Sequence, residues 1–236
     1  MTVMTRLVLL PGMDGTGELF ASFLAALPNT IPAKVVRFPA DPFLSYSELA
    51  ALVESALQEN EPFVLLAESF STPPAIQFAA TLPPNLKGLI LCAGFASSPR
   101  RGLSRVLASV ATPLLFHFKL PSFAERFLLG TNAPASLRAS LRSAISSVAP
   151  NVLASRLRAV LTCNARAELA RIEAPILYIQ AAQDRLVPRR CLEEILKIKP
   201  QTEAASIDGP HLLLQRAPQK SAEIVERFMR QLADGE

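Results

Sequence analysis

Apolar residues in this chain fall into short unbroken runs, separated by longer stretches with helical spacing. Arg6-Leu7-Val8-Leu9-Leu10, Phe63-Val64-Leu65-Leu66-Ala67, Leu86-Lys87-Gly88-Leu89-Ile90-Leu91-Cys92 and Pro175-Ile176-Leu177-Tyr178-Ile179-Gln180 are such runs. Little or no polar interruption over five to seven residues is the pattern of parallel strands buried on both faces. Weaker runs at 33–38 and 203–207 bring the expected strands to six. Helical spacing appears at 18–27, 190–198 and 217–232, after Pro73-Pro74, and at 45–59, where Leu49, Leu52, Val53 and Leu57 share one face. Strands alternating with helices predict an α/β fold with a mainly parallel, doubly wound sheet of about six strands. Sites in such sheets lie at the carboxyl ends of the strands.

The alternation stops between residues 97 and 165. Helical stretches at 103–110, 123–129, 135–148 and 152–161 follow one another there, split by Pro113, Pro121, Pro134 and Pro150. The expected organisation is a core of residues 1–96 and 166–236 with a helical cap inserted at 97–165. Charge marks the same segment. The whole chain is +4, yet Ser97 to Arg166 carries ten basic residues (Arg100, Arg101, Arg105, Lys119, Arg126, Arg138, Arg142, Arg156, Arg158 and Arg166) and one acidic, Glu125. That leaves 14 basic and 19 acidic residues elsewhere. So lopsided a segment departs from the alternation of signs usual on an exposed helix. It fits either a solvated arginine face or an anionic partner, such as a carboxylate-bearing acyl chain, a coenzyme A phosphate or an acidic carrier protein. Nucleic acid is a poor partner: no recognition motif is present, and two tyrosines with no tryptophan leave little for base stacking.

Other function classes are excluded by composition. Half of the 236 residues are hydrophobic, enough for a real core. Three widely spaced cysteines, Cys92, Cys163 and Cys191, suggest reduced buried thiols, and with two histidines they offer no metal-ligand pattern. Residues 1–6 are polar and the apolar run after them is short, so neither a secretory signal nor a membrane span is expected. The expectation is a soluble, cytoplasmic protein without cofactor or metal.

The chemistry sits at the strand ends. Ser69 follows the third run directly, and Pro73 and Pro74 suit the first turn of a helix, so Ser69 occupies a strand-to-helix corner. A serine there is a nucleophile candidate when the residues two before and two after it are small; these are Ala67 and Ser71. An ordinary helix N-cap is the plainer alternative. After the first strand, Pro11-Gly12-Met13-Asp14-Gly15-Thr16-Gly17 matches neither a dinucleotide fingerprint nor a P-loop, and suits a backbone oxyanion site. Asp184 and His211 follow the last two strands. Asp208, Asp14 and Asp41 compete with Asp184 for the acid, and His117 with His211 for the base.

Taken together, the glycine loop, the Ala67-Glu68-Ser69-Phe70-Ser71 corner, the helical segment, and the order Ser69, Asp184, His211 resemble the α/β-hydrolase superfamily over almost the whole chain. Within it, the sequence is similar to the small capped serine esterases of the pimeloyl-carrier methyl ester type. It departs in two places: the usual corner glycines are Ala67 and Ser71, and Pro11-Gly12 stands where His-Gly often does. The resemblance implies strand order 2-1-3-4-5-6 and a catalytic Ser69, Asp184 and His211. It further implies oxyanion donors at the Met13 and Phe70 amides, and hydrolysis of carboxylic esters or thioesters through an acyl-enzyme. Phe116, Phe118, Phe123 and Phe127 of the cap would line the acyl pocket. Acyl transfer by the same residues, and a binding protein without turnover, are the alternatives.

Overall fold

A computed structural model describes residues 5–57, 61–100, 108, 111–116 and 122–234 of the chain. Strands β1 (Arg6–Leu10), β2 (Ala33–Val35), β3 (Phe63–Glu68), β4 (Leu86–Cys92), β5 (Ile176–Ala181) and β6 (Glu203–Ile207) form one sheet. Their order is β2-β1-β3-β4-β5-β6, and every neighbouring pair is parallel. The order reverses between β1 and β3, whose pairing runs from Arg6 opposite Phe63 to Leu10 opposite Ala67. The loops leaving these two strands therefore face each other across the reversal point, where such sheets place a site.

Helices cover both faces because successive strand side chains alternate between them. Leu7, Leu9, Val64, Leu66, Ile90, Leu177 and Ile179 pack on one side against Phe23 of α1 (Ala21–Ala26). On that side lie also Val225 and Phe228, from the C-terminal helix at Pro218–Asp234. Val8, Leu10, Leu65, Ala67, Leu89, Leu91 and Tyr178 pack on the other side against Leu49 and Val53 of α2 (Tyr46–Ala56) and Ile76 and Phe78 of α3 (Thr72–Ala79). α2 opens on a capping box: Ser45 Oγ accepts from Glu48 N at 3.3 Å, and Glu48 Oε2 accepts from Ser45 N at 2.7 Å.

Between β4 and β5 the chain forms α4 (Ser122–Leu129), α5 (Ala135–Ser146), α6 (Pro150–Thr162) and the short α7 (Arg166–Arg171). Of the helix expected at 103–110, only Ala108 falls among the described residues, and it is helical. The two ends of this insertion meet, Ser97 bridging Asn164 and Ala165 N donating to Ala96 O at 2.7 Å. After β5 come α8 (Arg190–Ile198), β6, α9 (Leu213–Arg216) and α10 (Pro218–Asp234). No helix among the described residues is long and apolar enough to cross a membrane.

Two details differ from the sequence expectation. β2 is three residues long rather than six, because β1 gives way to the glycine loop and that loop takes over the pairing: Phe38 N donates to Gly15 O at 2.9 Å. Helices α7 and α9 were not expected, since six and four residues are too few to establish a helical period.

Candidate active site

Ser69 stands where β3 turns into a single 3-10 turn (Ser69–Ser71) and then α3. Its φ of 53° is in the left-handed region, strained for a residue with a Cβ. Surrounding contacts hold it there. Thr72 Oγ1 donates to Ser69 O at 2.8 Å and accepts from Phe95 N at 3.0 Å. Gly94 makes room for that threonine, since a Cβ at Gly94 would lie 2.4 Å from Thr72 Cγ2. Ser71, fully buried, donates its hydroxyl to Pro11 O and so ties the corner to the glycine loop. Smallness alone was the sequence-level reason for Ser71; its hydrogen bond is a second reason.

Asp184 and His211 arrive from the ends of β5 and β6. His211 Nε2 lies 2.8 Å from Ser69 Oγ, and His211 Nδ1 lies 2.7 Å from Asp184 Oδ2. Asp184 Oδ1 is occupied separately, accepting from Leu186 N at 2.8 Å and Val187 N at 2.9 Å. Its carboxylate is thus held by a turn of its own, with one oxygen left for the ring. Two of the competing aspartates are engaged elsewhere: Asp208 Oδ1 accepts from Gln183 Nε2, and Asp14 Oδ2 from Thr16 N and Oγ1. His117 lies outside the described residues. Burial works to lower the His211 pKa, but the Asp184 charge and hydrogen bond, with the Glu68 charge, outweigh it and leave the pKa raised. A base whose cation is stabilised in a nearly closed site suits proton abstraction from a hydroxyl.

The glycine loop is a tight turn, closed by Gly15 N donating to Gly12 O at 3.0 Å. Gly15 has φ 74°, available to glycine without cost. A trans peptide sets N–H opposite C=O, so with Gly12 O turned inward the Met13 N–H points out of the turn. Phe70 N–H lies in the first turn of a helix, where no intrahelical acceptor exists. Both amides lie just beyond the strands that flank the reversal point.

Glu68, the last residue of β3, is 1% exposed and accepts from Gln215 Nε2 at 3.2 Å. Burial pushes its carboxyl up to about 7; the Gln215 hydrogen bond and the His211 charge lower it in part, and Asp14 raises it. An acid whose folded pKa is raised carries a proton that the unfolded chain, near 4.5, has already released. Its contribution to stability is full below about 4.5 and is lost as pH rises through 7. Glu68→Gln is expected to match wild type near pH 4.5 and to raise Tm at pH 8 by about 5–10 °C, from roughly 1.4 kcal/mol per pKa unit. Thermal melts across that range check it; parallel curves for the two proteins would reject it.

Of the phenylalanines expected to line a pocket, the described ones pack in two separate groups. Phe116 packs with Phe43, Val148, Val152 and Leu153. Phe123 and Phe127 stack edge to face at 6.2 Å, with Phe123 mostly exposed and Phe127 carrying the Arg185 guanidinium over its ring at 5.8 Å. Phe118 lies outside the described residues. Phe127 borders a cavity of about 420 Å³ with Arg126, Asp184, Arg185 and Pro210. A second cavity of about 320 Å³ shares Arg126, Gly130 and Thr131 and adds Arg138 and Arg142.

Solved structures match the fold along nearly the full length of the chain. MenH from S. aureus superposes with a TM-score of 0.83 at 14% identity, covering 99% of this chain and 96% of its own. An esterase from Exiguobacterium antarcticum gives 0.79 at 15%, over 96% and 92%, and a hydrolase from Oleispira antarctica 0.80 at 14%, over 96% and 91%. The chain has the α/β-hydrolase fold. A curated relative, the biotin biosynthesis bifunctional protein BioHC of Cellvibrio japonicus, is 28% identical over 94% of this chain. The chain spans 45% of the length of that relative. No protein-family model matches.

Proposed function

We propose that the protein is a serine hydrolase that cleaves carboxylic esters or thioesters through an acyl-enzyme. The observation that carries the proposal is the unbroken hydrogen-bonded line from Asp184 Oδ2 through the His211 ring to Ser69 Oγ. In this mechanism His211 Nε2 takes the Ser69 proton as Oγ attacks the carbonyl carbon. The Met13 and Phe70 amides receive the oxyanion, while Asp184 orients the ring and stabilises its charge. His211 then protonates the leaving alcohol or thiol. Water, deprotonated in turn by His211, releases the acid and restores Ser69. Acyl transfer differs only in that an acceptor alcohol replaces this water.

Residues 97–165 act in this reading as a cap over the site. Leu212 N donates to Leu128 O of α4 at 2.9 Å, and Pro210 packs under Gly130, so the insertion rests on the loop that carries His211. The two arginine-lined cavities beside that loop favour an anionic acyl donor: Arg126, Arg138, Arg142 and Arg185 converge there, and the two acidic residues among them are engaged, Glu125 bidentately with Arg142 and Asp184 with His211. The relative, named for biotin biosynthesis, is in keeping with an acyl ester substrate; an acidic acyl carrier is one anionic donor of this kind.

A single substrate comparison tests both parts. For an acyl-coenzyme A thioester, kcat/KM is expected to fall as salt shortens the Debye length from about 30 Å at 0.01 M to about 8 Å at 0.15 M, because steering acts on association. A neutral p-nitrophenyl ester of equal chain length should barely respond. Equal responses would reject the anionic donor, and no turnover of either substrate would reject the hydrolase.

A further inference from the structure

Arg156, on α6 of the insertion, has an environment unlike that of a surface arginine. It is 1% exposed. Its guanidinium donates through Nη1 to Met13 O at 2.8 Å and Asp14 O at 2.9 Å, and through Nη2 to Pro39 O at 2.7 Å. Its carbon sits 5.7 Å over the Phe70 ring, within cation–π range. Gly15 is shaped around it: a Cβ there would come within 2.8 Å of Nη1. Burial lowers its pKa to about 10, partly countered by Asp14, so the group is cationic at neutral pH.

These contacts fall on the two residues whose amides would receive an oxyanion. In a tight turn the softest freedom is rotation of the central peptide, here the one carrying Met13 O. The guanidinium fixes that peptide and the next one, while the turn hydrogen bond fixes the peptide before it. Phe70 is held through its ring, between Arg156, Tyr46 at 5.1 Å and Phe38 at 6.2 Å. We infer that Arg156 is a positioning residue that sets both oxyanion donors, so that a side chain of the insertion completes a site built on the core strands. This rests on the serine-hydrolase reading above.

The test uses Arg156→Met, Arg156→Lys and Val152→Ala, the last a buried cavity-forming change on the same helix in the separate cluster around Phe116. For a neutral p-nitrophenyl ester, Arg156→Met is expected to lower kcat about 10²-fold, the scale of losing one oxyanion donor, with KM changed less than about threefold. The inhibition constant of a boronic acid that forms a tetrahedral serine adduct should weaken by the same factor as kcat/KM, as expected for an interaction made in the transition state. Arg156→Lys should recover about tenfold of the loss, because an ammonium can keep part of the carbonyl contacts. Val152→Ala should lower Tm yet leave kcat within about twofold of wild type. If the Met variant does not fold, the Lys variant and Val152→Ala at matched loss of Tm decide the matter. An unchanged kcat in Arg156→Met, or a loss in Val152→Ala equal to that in Arg156→Lys, would overturn the inference. Failure of the underlying reading shows separately, as wild-type protein that a fluorophosphonate does not modify at Ser69.

Discussion

Ser69→Ala is expected to lower kcat by about 10⁴-fold or more on any ester the wild type hydrolyses, and His211→Ala by a similar factor, because nucleophile and base act as one unit. The fold should survive both changes. Ser69 is only half-buried, and its side chain contributes its hydrogen bond to His211 rather than a core contact. Removing a Cβ-attached oxygen at φ 53° also leaves the corner to the same backbone anchors, Thr72 and Phe95. The measurement is steady-state kinetics beside circular dichroism, with mass spectrometry of the fluorophosphonate adduct. Modification of a different residue, or an alanine variant that keeps its rate, would sink the assignment of Ser69.

Asp184→Asn should cost about as much, about 10⁴-fold in kcat, for a reason the turn geometry makes specific. Asp184 Oδ1 accepts two backbone amides, Leu186 N and Val187 N. An asparagine must leave its carbonyl oxygen there, which turns its NH₂ toward His211 Nδ1. The ring then has to accept at Nδ1 and carry its proton on Nε2, facing Ser69 Oγ with a donor instead of a lone pair. Activity should rise again at high pH less than that of wild type rises through its own His211 titration, and Tm should change little because the turn bonds persist. A wild-type rate in Asp184→Asn would show that Asp184 does not set the tautomer.

Much of the fold was legible because burial on both faces leaves an unmistakable mark. β1, β3, β4 and β5 are central strands, and each reads as a continuous apolar run. β2 and β6 are the sheet edges, partly exposed, and their runs were weaker accordingly. Strand order followed from the resemblance rather than from any residue pattern, since nothing in a run of valines and leucines specifies its neighbour. The positions of Ser69, Asp184 and His211 were legible as polar residues that closely follow strand ends. Their contact was not, because it joins segments 142 and 27 residues apart. Glu68 stood in the sequence as a charge ending an apolar run, a signal that could have marked it as a buried acid.

What the chain determines by itself is local: the runs that must be buried, the glycines that permit the Gly12–Gly15 turn, and the small residues that allow a corner at Ser69. Tertiary structure decided which charges act as charges. Among ten basic residues of one segment nothing set Arg156 apart from Arg158, two positions on along the same helix. Yet Arg156 is sealed against Met13, Asp14 and Pro39, while Arg158 bonds Ala111 O. The physical reason is that a helix face is assigned by what packs against it. Two carbonyls of the glycine loop and that of Pro39 need donors once water is excluded, and the helix delivering them comes from more than a hundred residues away, beyond the reach of any local pattern.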